Sequence, residues 1–144
     1  MLYLGEEAKG IWRTQAEPQP AVLEQVAHTG DLLHADVEGM GIYRNGNEAM
    51  LIVSSQGNDS YLAFGLDQQF SYLGRFRIAL DLQSGVDGVS ETDGLEVTSV
   101  NLGTDYPVGL LVVQDGRNRM PIAPQNFKLV DWRQVQVALD EQLN

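Results

Sequence analysis

The sequence contains no cysteine. Disulfides, thiolate zinc sites and cysteine nucleophiles are therefore excluded. It has only two histidines, His28 and His34, too few for a multi-histidine metal centre. Basic residues are scarce as well: 9 lysines and arginines face 20 aspartates and glutamates, and the net charge is −11 over 144 residues. Binding nucleic acid needs a basic footprint to neutralise phosphates, so no such partner is expected. No apolar run approaches the roughly 18 residues that would span a membrane. The opening M-L-Y-L-G-E-E lacks the basic and apolar regions of a signal peptide. It reads instead like the middle of a strand, as though the chain began inside a fold.

What is present is enough for one ordinary domain. A hydrophobic fraction of 43% can supply a core, which argues against disorder. The surplus of acid suits a cation-binding or very soluble protein.

Short runs with strand character follow one another along the chain. Leu2–Leu4 stops at Gly5-Glu6-Glu7. Residues 10–17 alternate around Trp12 and read as a hairpin partner, broken by Pro18 and Pro20. Periodicity leaves 21–27 open between a strand and a helical turn. Residues 36–44 read as a strand with acids at its entrance, and Asn45-Gly46 is a strong tight-turn signal. Residues 49–55 form an apolar run, 60–66 return, and 70–80 alternate as a half-exposed strand does. Strands are expected again over 95–102, 109–113 and 126–132. Residues 131–143 carry the one helical pattern, with Val135, Leu139 and Leu143 on a shared face.

The runs repeat. L-Y-L-G-E-E, L-I-V-S-S-Q and L-L-V-V-Q-D are versions of one unit, an apolar run closed by acidic or amide residues. An entrance strand, D-V-E-G-M or D-G-L-E-V, precedes the second and third. Asp36 and Asp93 stand 57 residues apart. Four-stranded units at this period are propeller blades, and the repeat favours a strand over 21–27. The expected fold is all-β: a partial β-propeller of about two and a half blades with a short C-terminal helix. Residues 1–35 would end one blade, 36–86 form a complete one, and 87–144 form a blade lacking its closing strand. A propeller of so few blades cannot close on itself, so the chain is expected to be a fragment or to self-associate through open blade edges.

Asp87 to Gly94, D-G-V-S-E-T-D-G, concentrates charge. It holds Asp87, Glu91 and Asp93, with a glycine after each aspartate. Two like charges about 4 Å apart cost about 4 kcal/mol at an effective dielectric near 20. A hard divalent cation would offset that cost, since calcium accepts carboxylate, carbonyl and water oxygens. A solvated acidic loop is the plainer alternative. Asp36 and Glu38 sit two apart, which would place them on one face of a strand.

Taken together, D-V-E-G-M-G-I-Y, S-S-Q-G-N-D-S-Y, D-G-V-S-E-T-D-G-L-E-V, V-V-Q-D-G and Q-N-F-K-L-V-D-W resemble the C-terminal part of the β-propeller phytases, calcium-dependent phosphatases on a six-bladed propeller. The resemblance runs from Gly5 to Trp132. It implies a metal-ligand set of Glu7, Asp36, Glu38, Gln56, Asp87 and Asp93, with Ca2+ as cofactor and Glu38 and Asp93 at the catalytic centre. The implied reaction is hydrolysis of phytate (inositol hexakisphosphate) or other phosphate monoesters by a metal-activated water, which needs no side-chain nucleophile. The resemblance also implies a secreted or periplasmic location, and it places the substrate-holding lysines and arginines in earlier blades. The competing expectation is a non-catalytic calcium-binding or interaction segment that assembles through its strand edges.

Overall fold

In the computed structural model, which describes residues 1–142, ten strands and one helix form three antiparallel sheets. Strands β1 (Leu2–Glu6), β2 (Gly10–Thr14) and β3 (Glu24–His28) make the first sheet. The second contains β4 (Met40–Asn45), β5 (Glu48–Ser55), β6 (Ser60–Gly65) and β7 (Tyr72–Phe76). In the third, β9 (Leu110–Asp115) lies between β8 (Leu95–Thr98) and β10 (Asn126–Asp131). Each sheet is a simple meander, so every strand pairs with its sequence neighbour. The fold is all-β and propeller-like in part, as the repeat indicated.

The middle sheet is packed on both faces, which explains why β5 and β6 are nearly continuous apolar runs. Leu51, Val53, Leu62 and Phe64 point towards the first sheet and pack with Ile11, Leu33, Val37 and Phe70. Ile52, Tyr61, Ala63 and Phe76 point the other way, towards Val97, Leu111, Val113 and the helix. Burying one such aliphatic or aromatic side chain contributes roughly 1.5–3 kcal/mol. Between β4 and β5 the two-residue turn is centred on Gly46 and Asn47, with Asn45 paired to Glu48. Gly46 takes φ of 59°, a conformation that favours glycine.

Several strands are shorter than the pattern predicts. The alternation over 70–80 yields pairing only from Tyr72 to Phe76, and that over 95–102 only from Leu95 to Thr98. More consequentially, β4 begins at Met40, not Asp36. Residues 36–39 spend their backbone groups elsewhere. Val37 N–H donates to the Glu7 carbonyl (3.1 Å), and the Asp36 carbonyl accepts from Gln56 N–H (3.1 Å). Gly39 accepts from Ser54 N–H (2.8 Å) and donates to Ser54 Oγ (2.8 Å). Asp36 and Glu38 therefore do not share a strand face; they lie on a connector braced between the first and second sheets. Gly39 is needed there, because a Cβ would stand 2.9 Å from the Leu95 backbone nitrogen.

Helix α1 (Trp132–Asp140) follows β10 directly. Asp131 caps it, accepting from Arg133 N–H at 3.0 Å. Trp132, Val135 and Leu139 are its buried residues; Leu143, placed on the same face by the sequence pattern, lies outside the described residues. Trp132 stacks on Tyr43 with centroids 3.8 Å apart and planes within 10°, so the helix start joins the second and third sheets. At the other end, the Gln142 side chain clips β7, accepting from Arg75 N–H (2.9 Å) and donating to the Arg75 carbonyl (2.6 Å). The Arg75 guanidinium itself donates to the Leu32 carbonyl, fastening the first sheet's following loop to β7.

Replacing Trp132 with alanine is expected to cost about 3–5 kcal/mol, the usual scale for a fully buried large aromatic. Urea unfolding followed by circular dichroism measures it as a shift of the midpoint at unchanged slope.

Candidate metal and phosphate site

Three chain segments meet beside the β4–β8 junction. The first is the 36–39 connector. The second is the 3-10 turn Gln56–Asn58 that follows β5, docked on the connector through Gln56 N–H and the Asp36 carbonyl. The third is the loop from Asp87 to Gly94. Asp59 links the turn to this loop by accepting Glu91 N–H at 2.8 Å.

At their meeting point Gln56 Nε2 donates to Asp93 Oδ1 (2.7 Å) and approaches Glu38 Oε2 (3.4 Å). Glu38 is half-buried, and its carboxyl is held above the ordinary range. Burial is the main cause, followed by a hydrogen bond with Asp93 and the charges of Asp93, Glu7 and Asp36. Every charged group acting on Glu38 is thus itself acidic. Of the residues singled out in the sequence, the structure puts three in direct contact, Glu38, Asp93 and Gln56; Glu7 and Asp36 act on Glu38 only through their charge.

Glu7 rather than Glu6 belongs to this group. Glu6 is turned to Lys9 (2.7 Å) and to the Trp12 indole N–H (3.0 Å), which hold its carboxyl below the usual range, the Lys9 hydrogen bond foremost.

Asp87 is placed differently. Its Oδ1 pairs with Lys128 Nζ at 2.8 Å, and its Oδ2 accepts the Arg119 backbone N–H. It is buried, and these contacts, the lysine first, lower its pKa to about 2. Lys128 also pairs with Asp115 at 3.0 Å. Burial alone would depress the lysine's pKa, but hydrogen bonds to Asp87 and Asp115 outweigh it and raise the value.

The group around Glu38 fits a hard cation by its chemistry. Its carboxylate oxygens are ligands that calcium accepts, and the charged groups acting on Glu38 are acidic; Gln56 turns its amide nitrogen towards them, so its oxygen would join only after rotation. Among the described residues, no three acidic or histidine side chains stand close enough together to form a metal cage unaided. The neutral Gln56 amide lies between the two central carboxylates instead.

Sequence reasoning missed the residues that hold this loop in place. Gln114 Oε1 accepts Asp93 N–H (2.9 Å), Thr92 Oγ1 donates to the Gln114 carbonyl (2.9 Å), and Tyr61 OH meets Thr92 Oγ1 at 2.5 Å. The one available signal was Lys128, a lone cation within the strand pattern N-F-K-L-V-D-W.

Comparison with known proteins gives a consistent picture. A family model described as Phytase matches residues 1–144. A 3-phytase of Bacillus subtilis (strain 168) is 41% identical over 145 residues, covering 97% of this chain. The chain spans 37% of that relative's length.

The acid limb of stability tests the Asp87 assignment. Its native pKa lies below its ordinary value of 3.8, so its contribution is complete above 3.8 and is lost as pH falls through about 2. Asp87→Asn is expected to flatten the decline of the denaturation midpoint over that window. An unchanged slope would remove Lys128 as its native partner.

Proposed function

This chain belongs to the phytase family, and we propose that it forms part of a calcium-dependent phosphomonoester hydrolase acting on phytate. The observation that carries this reading is the Glu38 environment: a half-buried carboxyl whose charged neighbours, Asp93, Glu7 and Asp36, are all acidic. Such a site is costly to ionise alone and becomes favourable beside a cation. That the Bacillus subtilis relative is a 3-phytase supports phytate as the substrate.

In this reading Glu38 and Asp93 provide the central carboxylates and Gln56 an amide oxygen after rotation of its side chain, with Glu7 and Asp36 flanking them. Calcium bound there would supply positive charge against the substrate's phosphate oxygens and acidify a water. Glu38 and Asp93 would hold that water and take its proton. The water oxygen forms the new bond to phosphorus as the bond to the inositol oxygen breaks, and the leaving oxygen recovers a proton. Asp87 serves as the anchor of the loop. No helix among the described residues is long and apolar enough to cross a membrane, and a secreted or periplasmic location fits the family.

A second reading is favoured by one feature. The edge strand β10 exposes Phe127 (66%) and Leu129 (55%), so copies of the segment could associate there as a non-catalytic assembly.

Two measurements separate these readings. In the complete protein, Glu38→Gln and Asp93→Asn should each lower calcium-dependent phosphate release from phytate by at least about tenfold, the scale at which even outer-shell partners of a metal act. Unchanged release and calcium stoichiometry would remove them from the site. The 144-residue chain by itself should release little phosphate, since it spans 37% of the length of its Bacillus subtilis relative, and robust turnover by it would overturn the fragment reading.

A further inference from the structure

Lys128 sits at the junction of three elements. It lies on β10, Asp115 closes β9, and Asp87 opens the loop that ends in Asp93–Gly94. Lys128 Nζ is 2.8 Å from Asp87 Oδ1, 3.0 Å from Asp115 Oδ2 and 2.9 Å from Asn126 Oδ1. All three charged residues are buried, and Asp115 is fully so. The second oxygen of Asp115 carries the connection onward, accepting the backbone N–H of Ser90 and of Arg117, each at 3.2 Å. One ammonium group thereby fastens the loop at Asp87 directly and at Ser90 through Asp115. Beyond Ser90, the loop is held at Thr92 and Asp93 by Gln114, the neighbour of Asp115.

The strand itself shows what this arrangement costs. Alternation would favour turning Phe127 and Leu129 inward, yet both are exposed and Lys128 takes the buried position between them. The register of β10, with Lys128 opposite Val113 and Asn126 opposite Asp115, is the one that delivers the ammonium to the two carboxylates.

We infer that Lys128 is a positioning residue: by pairing with both Asp87 and Asp115 it fixes the loop whose far end places Asp93 against Gln56 and Glu38. The inference rests on the reading of Asp93 and Glu38 as a calcium and phosphate site. Removing the cation leaves two buried carboxylates in one small space, and they relieve their repulsion by drawing in water and spreading the loop entrance. The effect reaches the site as a displacement of Asp93, without any contact between Lys128 and substrate.

The test uses the complete protein and three variants: Lys128→Met, Lys128→Arg, and Lys128→Met combined with Asp87→Asn. Lys128→Met should raise the calcium concentration for half-maximal phosphate release from phytate by about tenfold or more, and Lys128→Arg should restore most of it. The double variant removes the unpaired charge at Asp87 and should recover thermal stability without recovering the calcium midpoint. A purely structural lysine would move the melting temperature and leave that midpoint alone. A folded Lys128→Met protein with the wild-type calcium midpoint and kcat would overturn the inference. Hydrogen exchange on the unmodified protein gives a reading that needs no variant and no metal. The amides of Ser90, Asp93 and Arg119 should exchange on the order of 100-fold or more below their intrinsic rates, as parts of one cooperative unit. Near-intrinsic exchange at Ser90 and Arg119 would overturn the inference. Slow exchange there, with no calcium dependence of activity in the unmodified protein, would overturn the site reading alone.

Discussion

Carboxylates crowd both ends of the loop from Asp87 to Gly94, and the two ends settle their charge in opposite ways. At the first end a buried lysine pairs with Asp87 and Asp115. At the second, the charged groups acting on Glu38 are all acidic. The contrast follows from burial. The carboxylates of Asp87 and Asp115 are inside the protein, where an unpaired charge is severely penalised, so the chain provides its own counter-ion. Asp93 is exposed and Glu38 half-buried, so water screens part of their repulsion. The loop links a buried end paired with lysine to a more exposed end whose charged neighbours are acidic.

The sheets supply the frame for this contrast. Because β5 and β6 are packed on both faces, the second sheet is fixed between its neighbours. The turn at its end, Gln56–Asn58, is therefore carried to a defined place between the connector and the loop. Stacking of Trp132 on Tyr43 and the Gln142 clip on β7 fix the third sheet against the second. The separation of Glu38 from Asp93 thus depends on contacts far from either residue.

Much of this was legible in the sequence because strand pattern and turn chemistry are local. The apolar run of β5 and the turn beside Gly46 each sit within a residue or two of their expected places, and the strand around Trp12 starts where expected at Gly10 but ends three residues early, at Thr14. Gln56 and Asp93 could be singled out as ligands through the family resemblance carried by S-S-Q-G-N-D-S-Y and D-G-V-S-E-T-D-G-L-E-V. The connector at Asp36–Gly39 was misread as strand. Its alternation is genuine, but its backbone partners are Glu7, Ser54 and Gln56, one of them from another sheet, and no local pattern records that. Asp87 and Asp93 looked equivalent, as two aspartates each followed by glycine. What distinguishes them is Lys128, 41 residues beyond Asp87 in sequence and 2.8 Å from it in space. Long-range ion pairs leave no periodic signal. Only the anomaly of a lysine flanked by Phe127 and Leu129 hinted at it.

Joint binding of a calcium ion by Glu38 and Asp93 is what the proposed function requires. Its most direct measurement is a structure of the complete protein determined with calcium, the ion being located by its anomalous scattering. The account predicts an ion at about 2.3–2.6 Å, the usual calcium–oxygen distance, from carboxylate oxygens of both Glu38 and Asp93, with the Gln56 amide rotated to present its oxygen. Saturating calcium that leaves Gln56 donating to Asp93, with no ion within that distance of either carboxylate, would contradict it.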